Sequence, residues 1–389
     1  MAIGPLMPGF LRLGKPNGLA AYLAPGTRWK SIGERAAHSR LASLFLLLAF
    51  FWIIAAAGFS GYIGKWSLRE NEQRYGIEAM LKGTAHRPFV YRQLVPMLAS
   101  AVDTGLPDGL KDHIVRGTAY AKFSVPLFRT ADPQLLFRYV VVYYITFLAF
   151  LASLFVLREV VLDSGASVLT AILAPSILVL AFPYIQTVGG YFYDGVELLF
   201  MSLTFLAASR GKLLVFFALI VPATLNKETF FFFLPALYPI FKHHASTRKT
   251  LLIVCAAIFV SGLVNLSVKL AFATAPGAPA EVHLFENVRY YLMPWTYRLT
   301  ETTYGVVGPA GLSIATIAVI LIIIARGWSA CPARVRQHLL IAAAINLPLF
   351  LSFAAGGELR NLSLLFVGLV ILLARVLNGA SWAAMAPRS

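Results

Sequence analysis

The sequence predicts an all-α polytopic membrane protein with about ten transmembrane helices, and two observations carry that expectation. The first is hydropathy. Of 389 residues, 59% are apolar and 13% charged, and apolar runs of about 20 residues recur, the length that crosses ~30 Å of hydrocarbon. The second is where the charge lies. A formal net charge of +16 invites a nucleic-acid partner, but membrane proteins collect Lys and Arg on one side for topological reasons, so the charge has to be located before it is interpreted.

Taken in order, residues 1–40 are rich in Gly and Pro, carry a net +5 and lack a small-residue cleavage site after a short apolar core. They read as a basic cytoplasmic tail with no cleaved signal peptide. The transmembrane domain is expected over 41–378 and a second cytoplasmic tail over 379–389. Spans are expected at about 41–64, 137–157, 166–184, 194–209, 212–225, 229–241, 250–272, 307–325, 338–355 and 361–378. The stretch "LLVFFALIVPATLNKETFFFFLPALYPIF" must hold two short spans or a re-entrant pair broken around Pro222 and Asn226.

With the N-terminus inside, the segments on that side are residues 1–40, the connections containing Arg158 to Asp163, Arg210 and Lys212, Lys242 to Lys249 and Arg326 to Arg336, and the C-terminal tail with Arg375 and Arg388. Together they hold +14 of the net +16. The positive-inside rule therefore accounts for nearly all the excess, places both termini in the cytoplasm and removes the motive for nucleic-acid binding. It also sends "RENEQRY" (69–75), "HRPFVYR" (86–92), "YFYD" (191–194), "NKE" (226–228), "ENVRYY" (286–291) and "GGELR" (356–360) to the outer side. Balanced acid and base gathered on one face, opposite bare Lys and Arg, marks a site.

The first outer loop, 65–136, is too long for a simple connection. The run from Phe89 to Val102 is mostly apolar and ~21 Å long as a helix, too short to span, so it is expected in the membrane interface; "HIVRGTAYAKFSVPLF" (113–128) has the same mixture. Pro88 and Pro96 bracket the first of these segments. Arg87 and Arg92 would lie at headgroup depth, where a guanidinium pairs bidentately with a phosphate, and Arg87 would reach Tyr91 at i+4. Snorkelling to ordinary anionic headgroups is the plainer alternative. Glu70 and Glu72 follow the first span directly, and a partly desolvated carboxylate there suits a general base toward a sugar or lipid hydroxyl. A solvated helix start including Arg74 and Glu78 competes with that reading. Asp194 stands near hydrocarbon beside Tyr191, Phe192 and Tyr193, which either stack on a sugar or belong to the aromatic belt. Lys227 with Glu228, and Glu358 with Arg360, either bind a ligand or pair internally.

"NEQRYGIEAMLKG" resembles the D-E-x-R-Y-x-x-x-x-x-M motif that follows the first span in lipid-phosphosugar-dependent glycosyltransferases of the GT-C fold, such as the protein O-mannosyltransferase and aminoarabinose transferase families. The layout is similar too, with the N-terminus inside and interfacial helices in a long first outer loop. "PFVYRQLVP" and "GGELRN" also resemble patterns in bacterial multi-span proteins of this class. The resemblance implies a bacterial inner-membrane, cell-envelope enzyme that moves a sugar from a polyprenyl-phosphate carrier to a lipid, glycan or protein acceptor on the outer side. It implies a catalytic aspartate where this chain has Asn71, an amide that takes no proton at neutral pH. Glu72, Glu70 or Asp194 then supplies the base, or transferase chemistry has been lost. It implies lipid-phosphate binding by Arg87, Arg92, Lys227 and Arg360, with Arg74, Tyr75, His86, Tyr91, Tyr193, Glu228 and Glu358 lining the groove.

Two other classes compete: a transporter or flippase for an anionic lipid-linked substrate, suggested by the interruption at Pro222 to Glu228, and a non-catalytic lipid-binding or assembly subunit, suggested by Asn71. The sequence holds no Walker-type phosphate loop, H-E-x-x-H or G-x-S-x-G. A divalent cation on Glu70, Glu72 and Asp194 is open, since their spacing sets no coordination geometry. Cys255 and Cys331 stand in contexts too different for a disulfide.

Overall fold

The computed structural model describes residues 28–69, 72–119 and 132–385. Contacts divide the chain after Ala49, and the packing described below lies in residues 50–389. The long helices are α1 (Arg28–Trp66), α5 (Leu136–Asp163), α6 (Val168–Ile185), α7 (Phe192–Ser209), α10 (Thr247–Ala271), α13 (Ala333–Phe353) and α14 (Phe366–Met385), the last preceded by a 3-10 stretch, Leu359–Leu365. Among the described residues, seven segments are long and apolar enough to cross a membrane: Leu41–Trp66, α5, α6, α7, α10, α13 and Leu359–Gly379. A multi-pass membrane protein fits that pattern.

The other three expected spans are helical but short: α8 (Leu213–Asn226), α9 (Phe230–Phe241) and α12 (Ile314–Gly327). At 14 residues, α8 and α12 are each ~21 Å long, below the ~30 Å of hydrocarbon. The expected run 307–325 lost its beginning to a hairpin, β1 (Thr300–Thr303) with β2 (Val306–Pro309), which follows the short α11 (Leu284–Leu292) and turns at Tyr304 and Gly305 with positive φ. Pro222 lies inside α8 without ending it; the break comes at Lys227, whose backbone is extended. His244 bonds the Ser209 carbonyl at 2.6 Å and also packs beside Gly211, so the start of α8 and the end of α9 return to one level. The pair forms a hairpin of two short helices with Lys227 at its tip.

Connections sort to two ends. At the basic end Arg210 bonds Asp163 at 2.7 Å and Glu159 at 2.8 Å, Arg375 reaches the Ser164 carbonyl, and Gly327 packs on the Leu372 backbone. At the opposite, polar end the segments near residues 69, 92, 191, 227, 291 and 360 meet. Between them α5 and α7 make the most extensive helix contact, and Tyr139, Val142, Ala149, Phe192 and Val196 sit in the adjoining apolar core.

The first polar-end loop contains α2 (Ile77–Leu81), a 3-10 turn at Phe89–Tyr91, α3 (Leu94–Gly105) and α4 (Asp108–Ala119). The expected single helix from Phe89 to Val102 is therefore two pieces. Arg92 breaks it with φ −89° and ψ 73°, and Pro96 falls in the first turn of α3, where a missing N–H leaves no bond unmade. Of the second expected interfacial segment, 113–119 belongs to α4 and 120–131 lies outside the described residues, as do most of the N-terminal tail, Glu70 and Asn71.

Candidate functional site

The polar end is organised by the first turns of α7. Asp194 stands at the third position of the helix and caps it, one carboxylate oxygen accepting from the Tyr191 N–H at 3.0 Å and from Gln186 Nε2 at 3.1 Å. Its other oxygen accepts from Arg360 Nη1 at 3.1 Å. Glu197 is one turn further along the same face. It accepts from Lys227 Nζ at 2.7 Å, Thr229 Oγ1 at 2.7 Å and Ser363 Oγ at 2.8 Å. An acid inside an apolar helix has to be paired, and each of these is.

The tip of the α8–α9 hairpin and the loop before α14 supply the partners. Asn226 donates to the Tyr193 carbonyl at 3.1 Å, and Lys227, 1% exposed, also donates to Asn361 Oδ1 at 3.4 Å. Glu228 is gripped by Arg92 in a two-pronged pair, Nη2 to Oε1 at 3.0 Å and Nε to Oε2 at 3.3 Å, while Arg92 Nη1 donates to the Tyr193 hydroxyl. Glu358 accepts from Arg360 at 2.5 Å, Asn361 at 2.8 Å and the Ala355 N–H at 3.1 Å.

Two tyrosines form the floor. Tyr191 and Tyr193 stack with centroids 5.1 Å apart and 10° between planes. The Arg69 and Arg360 guanidinium carbons lie 4.8 and 4.4 Å from the Tyr191 centroid, and those of Arg92 and Lys227 Nζ lie 4.6 and 5.9 Å from Tyr193. Arg69 also lies over Trp66 and Tyr75 and donates to the Gly190 carbonyl. Cation–π attraction strengthens away from water, so rings and cations hold each other in register. Among the described residues, the cluster comprises four cations (Arg69, Arg92, Lys227, Arg360) and four carboxylates (Asp194, Glu197, Glu228, Glu358) and is neutral overall.

Burial works to raise the Glu228 carboxyl, but the Arg92 guanidinium outweighs it and holds the group below its ordinary value. The same contest at Glu358, burial against the neighbouring Arg360, also ends with the carboxyl lowered. Burial opposes the Arg92 cation, and Glu228 more than offsets it, raising the guanidinium further above its ordinary value. Both ends of the Arg92–Glu228 pair therefore favour the charged state.

Of the residues singled out from sequence, Arg92, Asp194, Tyr193, Lys227, Glu228, Glu358 and Arg360 come together. Tyr75 touches the cluster through its contacts with Tyr191 and Phe89. Internal pairing holds for Glu358 with Arg360. Lys227 and Glu228 do not pair with each other: Lys227 is extended, Glu228 opens the turn that follows, and they point to different partners, Glu197 and Arg92. Arg87 is elsewhere. It donates to the Ala273 carbonyl at 3.0 Å, holding the 272–277 loop, and Tyr91 is buried in the apolar core instead of beneath it. Arg74 is exposed and paired with Glu281, and His86 is half-buried with its backbone on the Arg74 carbonyl. Glu72 is exposed in the turn after Arg69. Glu72 is exposed while Asp194 is buried, Glu70 lies outside the described residues, and among the described residues no three His, Cys, Asp or Glu side chains come together as a metal site.

Sequence reasoning missed Glu197, Arg69, Gln186, Thr229, Asn361 and Ser363. Glu197 had a signal, being a second acid three residues after Asp194 on the same helical face. Arg69 heads the charged stretch 69–75, and its left-handed backbone, φ 56°, turns it back over the rings.

No family model, curated protein or solved structure matches the chain.

Proposed function

We propose that the chain is a membrane glycosyltransferase-like enzyme of the GT-C kind, passing a sugar from a polyprenyl-phosphate carrier to a hydroxyl acceptor at the polar end, which faces outward from a bacterial inner membrane. The observation that supports it is the gathering of Arg92, Lys227 and Arg360 from three distant segments around the Tyr191–Tyr193 pair, at the end where topology calls for no excess cations.

In this reading the acceptor oxygen attacks the anomeric carbon, its proton passes to a carboxylate, and the bond to the carrier phosphate breaks with the electron pair leaving on phosphate. Arg92, with Lys227 and Arg360, stabilises the charge that develops there. Asp194 already accepts three hydrogen bonds, which suits it to positioning Arg360 and leaves proton removal to Glu72, whose backbone N–H bonds the Arg69 carbonyl, or to Glu70. The test is transfer from a radiolabelled polyprenyl phosphosugar in membranes carrying Arg92→Ala. Transfer should vanish while the amount of folded protein in the membrane is unchanged, and full activity would sink the role given to Arg92.

One observation favours a transporter instead: the two short helices meet at a buried lysine, as in the broken helices of carriers. Reconstituted vesicles that move a lipid-linked sugar across the bilayer with no product formed would decide for that reading.

A further inference from the structure

Glu228 is held differently from the other three carboxylates. Asp194, Glu197 and Glu358 each accept from three separate groups. Beyond its own backbone N–H, Glu228 meets a single partner, the Arg92 fork, and its side chain is 24% exposed against 15% for Glu358, 4% for Glu197 and 1% for Asp194. It stands in the connection between α8 and α9, outside either helix. Arg92 is the opposite. It is 7% exposed, donates its third nitrogen to the Tyr193 hydroxyl and lies over both Phe89 and Tyr193. The fork is pre-organised and its occupant is the replaceable member.

A carboxylate and a phosphate present a guanidinium with the same pair of oxygens. We propose that the Arg92 fork is a phosphate subsite and that Glu228 is its resident stand-in, displaced toward solvent when a phosphate-bearing headgroup binds. The proposal rests on the phosphate-binding reading above and adds the exchange. Displacement leaves no buried charge alone, because Arg92 trades one anion for another while Glu228 gains water. None of the other carboxylates offers this. Moving Glu197 would strand Lys227, and moving Asp194 would uncap α7.

The test uses the full chain in phosphatidylcholine nanodiscs, with undecaprenyl phosphate in the disc as one probe and inorganic phosphate in the buffer as the other. Three proteins are compared: the unaltered chain, Glu228→Gln, and the double variant Arg92→Gln with Glu228→Gln. Glu228→Gln should unfold at a lower temperature without phosphate, bind about tenfold tighter than the unaltered chain, and recover its lost stability on binding; tenfold corresponds to about 1.4 kcal/mol. The double variant, which carries no unpaired buried charge, should fold and bind neither probe. A response to the lipid alone places the phosphate in the bilayer, and a response to inorganic phosphate alone places it in solution; each supports the subsite. Equal affinity of the unaltered chain and Glu228→Gln overturns the displacement and leaves phosphate binding standing. Retained binding in the double variant overturns the Arg92 fork as the subsite, even if Glu228→Gln does not accumulate. No binding to either probe by any of the three overturns the subsite together with the reading beneath it.

Discussion

Replacing Lys227 by Met tests whether the buried charges at the polar end are a joined network. Lys227 is 1% exposed, its Nζ lies 2.7 Å from Glu197, 3.4 Å from Asn361 Oδ1 and 3.9 Å from Asp194, and a methionine of similar length fills the space without charge. At an effective dielectric of about 20, unit charges 2.7 Å apart attract by roughly 6 kcal/mol, and the desolvation of both ions offsets much of it. Removing one partner, however, leaves Glu197 buried and uncompensated, which costs about 3–5 kcal/mol. The lower end applies here, because the hydroxyls of Thr229 and Ser363 still donate to Glu197. Adding Glu197→Gln should return most of that loss, to within about 1 kcal/mol of the unaltered chain, since both charges are then gone. The assay is unfolding in mixed micelles titrated with dodecyl sulfate, followed by tryptophan fluorescence. A single variant within about 0.5 kcal/mol of the parent, as for an exposed substitution, would refute the network.

Other expectations use the same measurement. Gly311→Ala would drive its Cβ into the Tyr184 carbonyl and Thr187 Oγ1, so a loss of about 1–3 kcal/mol is expected as the strand-to-α12 connection shifts. Arg74→Ala removes a pair whose arginine side chain is 49% exposed, and stability should change by less than about 1 kcal/mol. Glu228 and Glu358 are both held below their ordinary value of 4.5, so in acid the folded state binds fewer protons than the unfolded state. Their stabilisation is complete above the unfolded value and is lost as pH falls through the folded one. Stability measured from pH 7 to 5 should therefore carry no loss from these two groups and should fall below the ordinary glutamate range; Glu358→Gln should shallow that acid decline, and an unchanged slope would contradict the assignment.

How far the sequence could be read differs between neighbours. In "HRPFVYRQLVP" both arginines attracted the same expectation, yet the 3-10 turn at Phe89–Tyr91 sends Arg92 into the cluster and leaves Arg87 against the 272–277 loop. Direction within a single turn has no signature in composition. The ten helical segments were legible because apolar runs are contiguous; that three stop short was not, because the hairpin at Thr300–Pro309 and the extended Lys227 are settled by contacts across the fold. Glu197 is hidden in the sequence by the apolar run that follows it, although helical spacing puts it on one face with Asp194.

By itself the sequence determined which segments are helical and apolar and, through the placement of Lys and Arg, which connections share an end, since burial of apolar surface and topological charge bias are written residue by residue along the chain. Only the tertiary structure decided which acid meets which base. Arg92 finds Glu228 136 positions away, Lys227 finds Glu197 at 30 and Arg360 finds Asp194 at 166. Such pairs form where desolvation forces every buried charge to take the partner that packing has brought within hydrogen-bond reach, and that reach exists only once α7, the α8–α9 hairpin and the loop before α14 have come together.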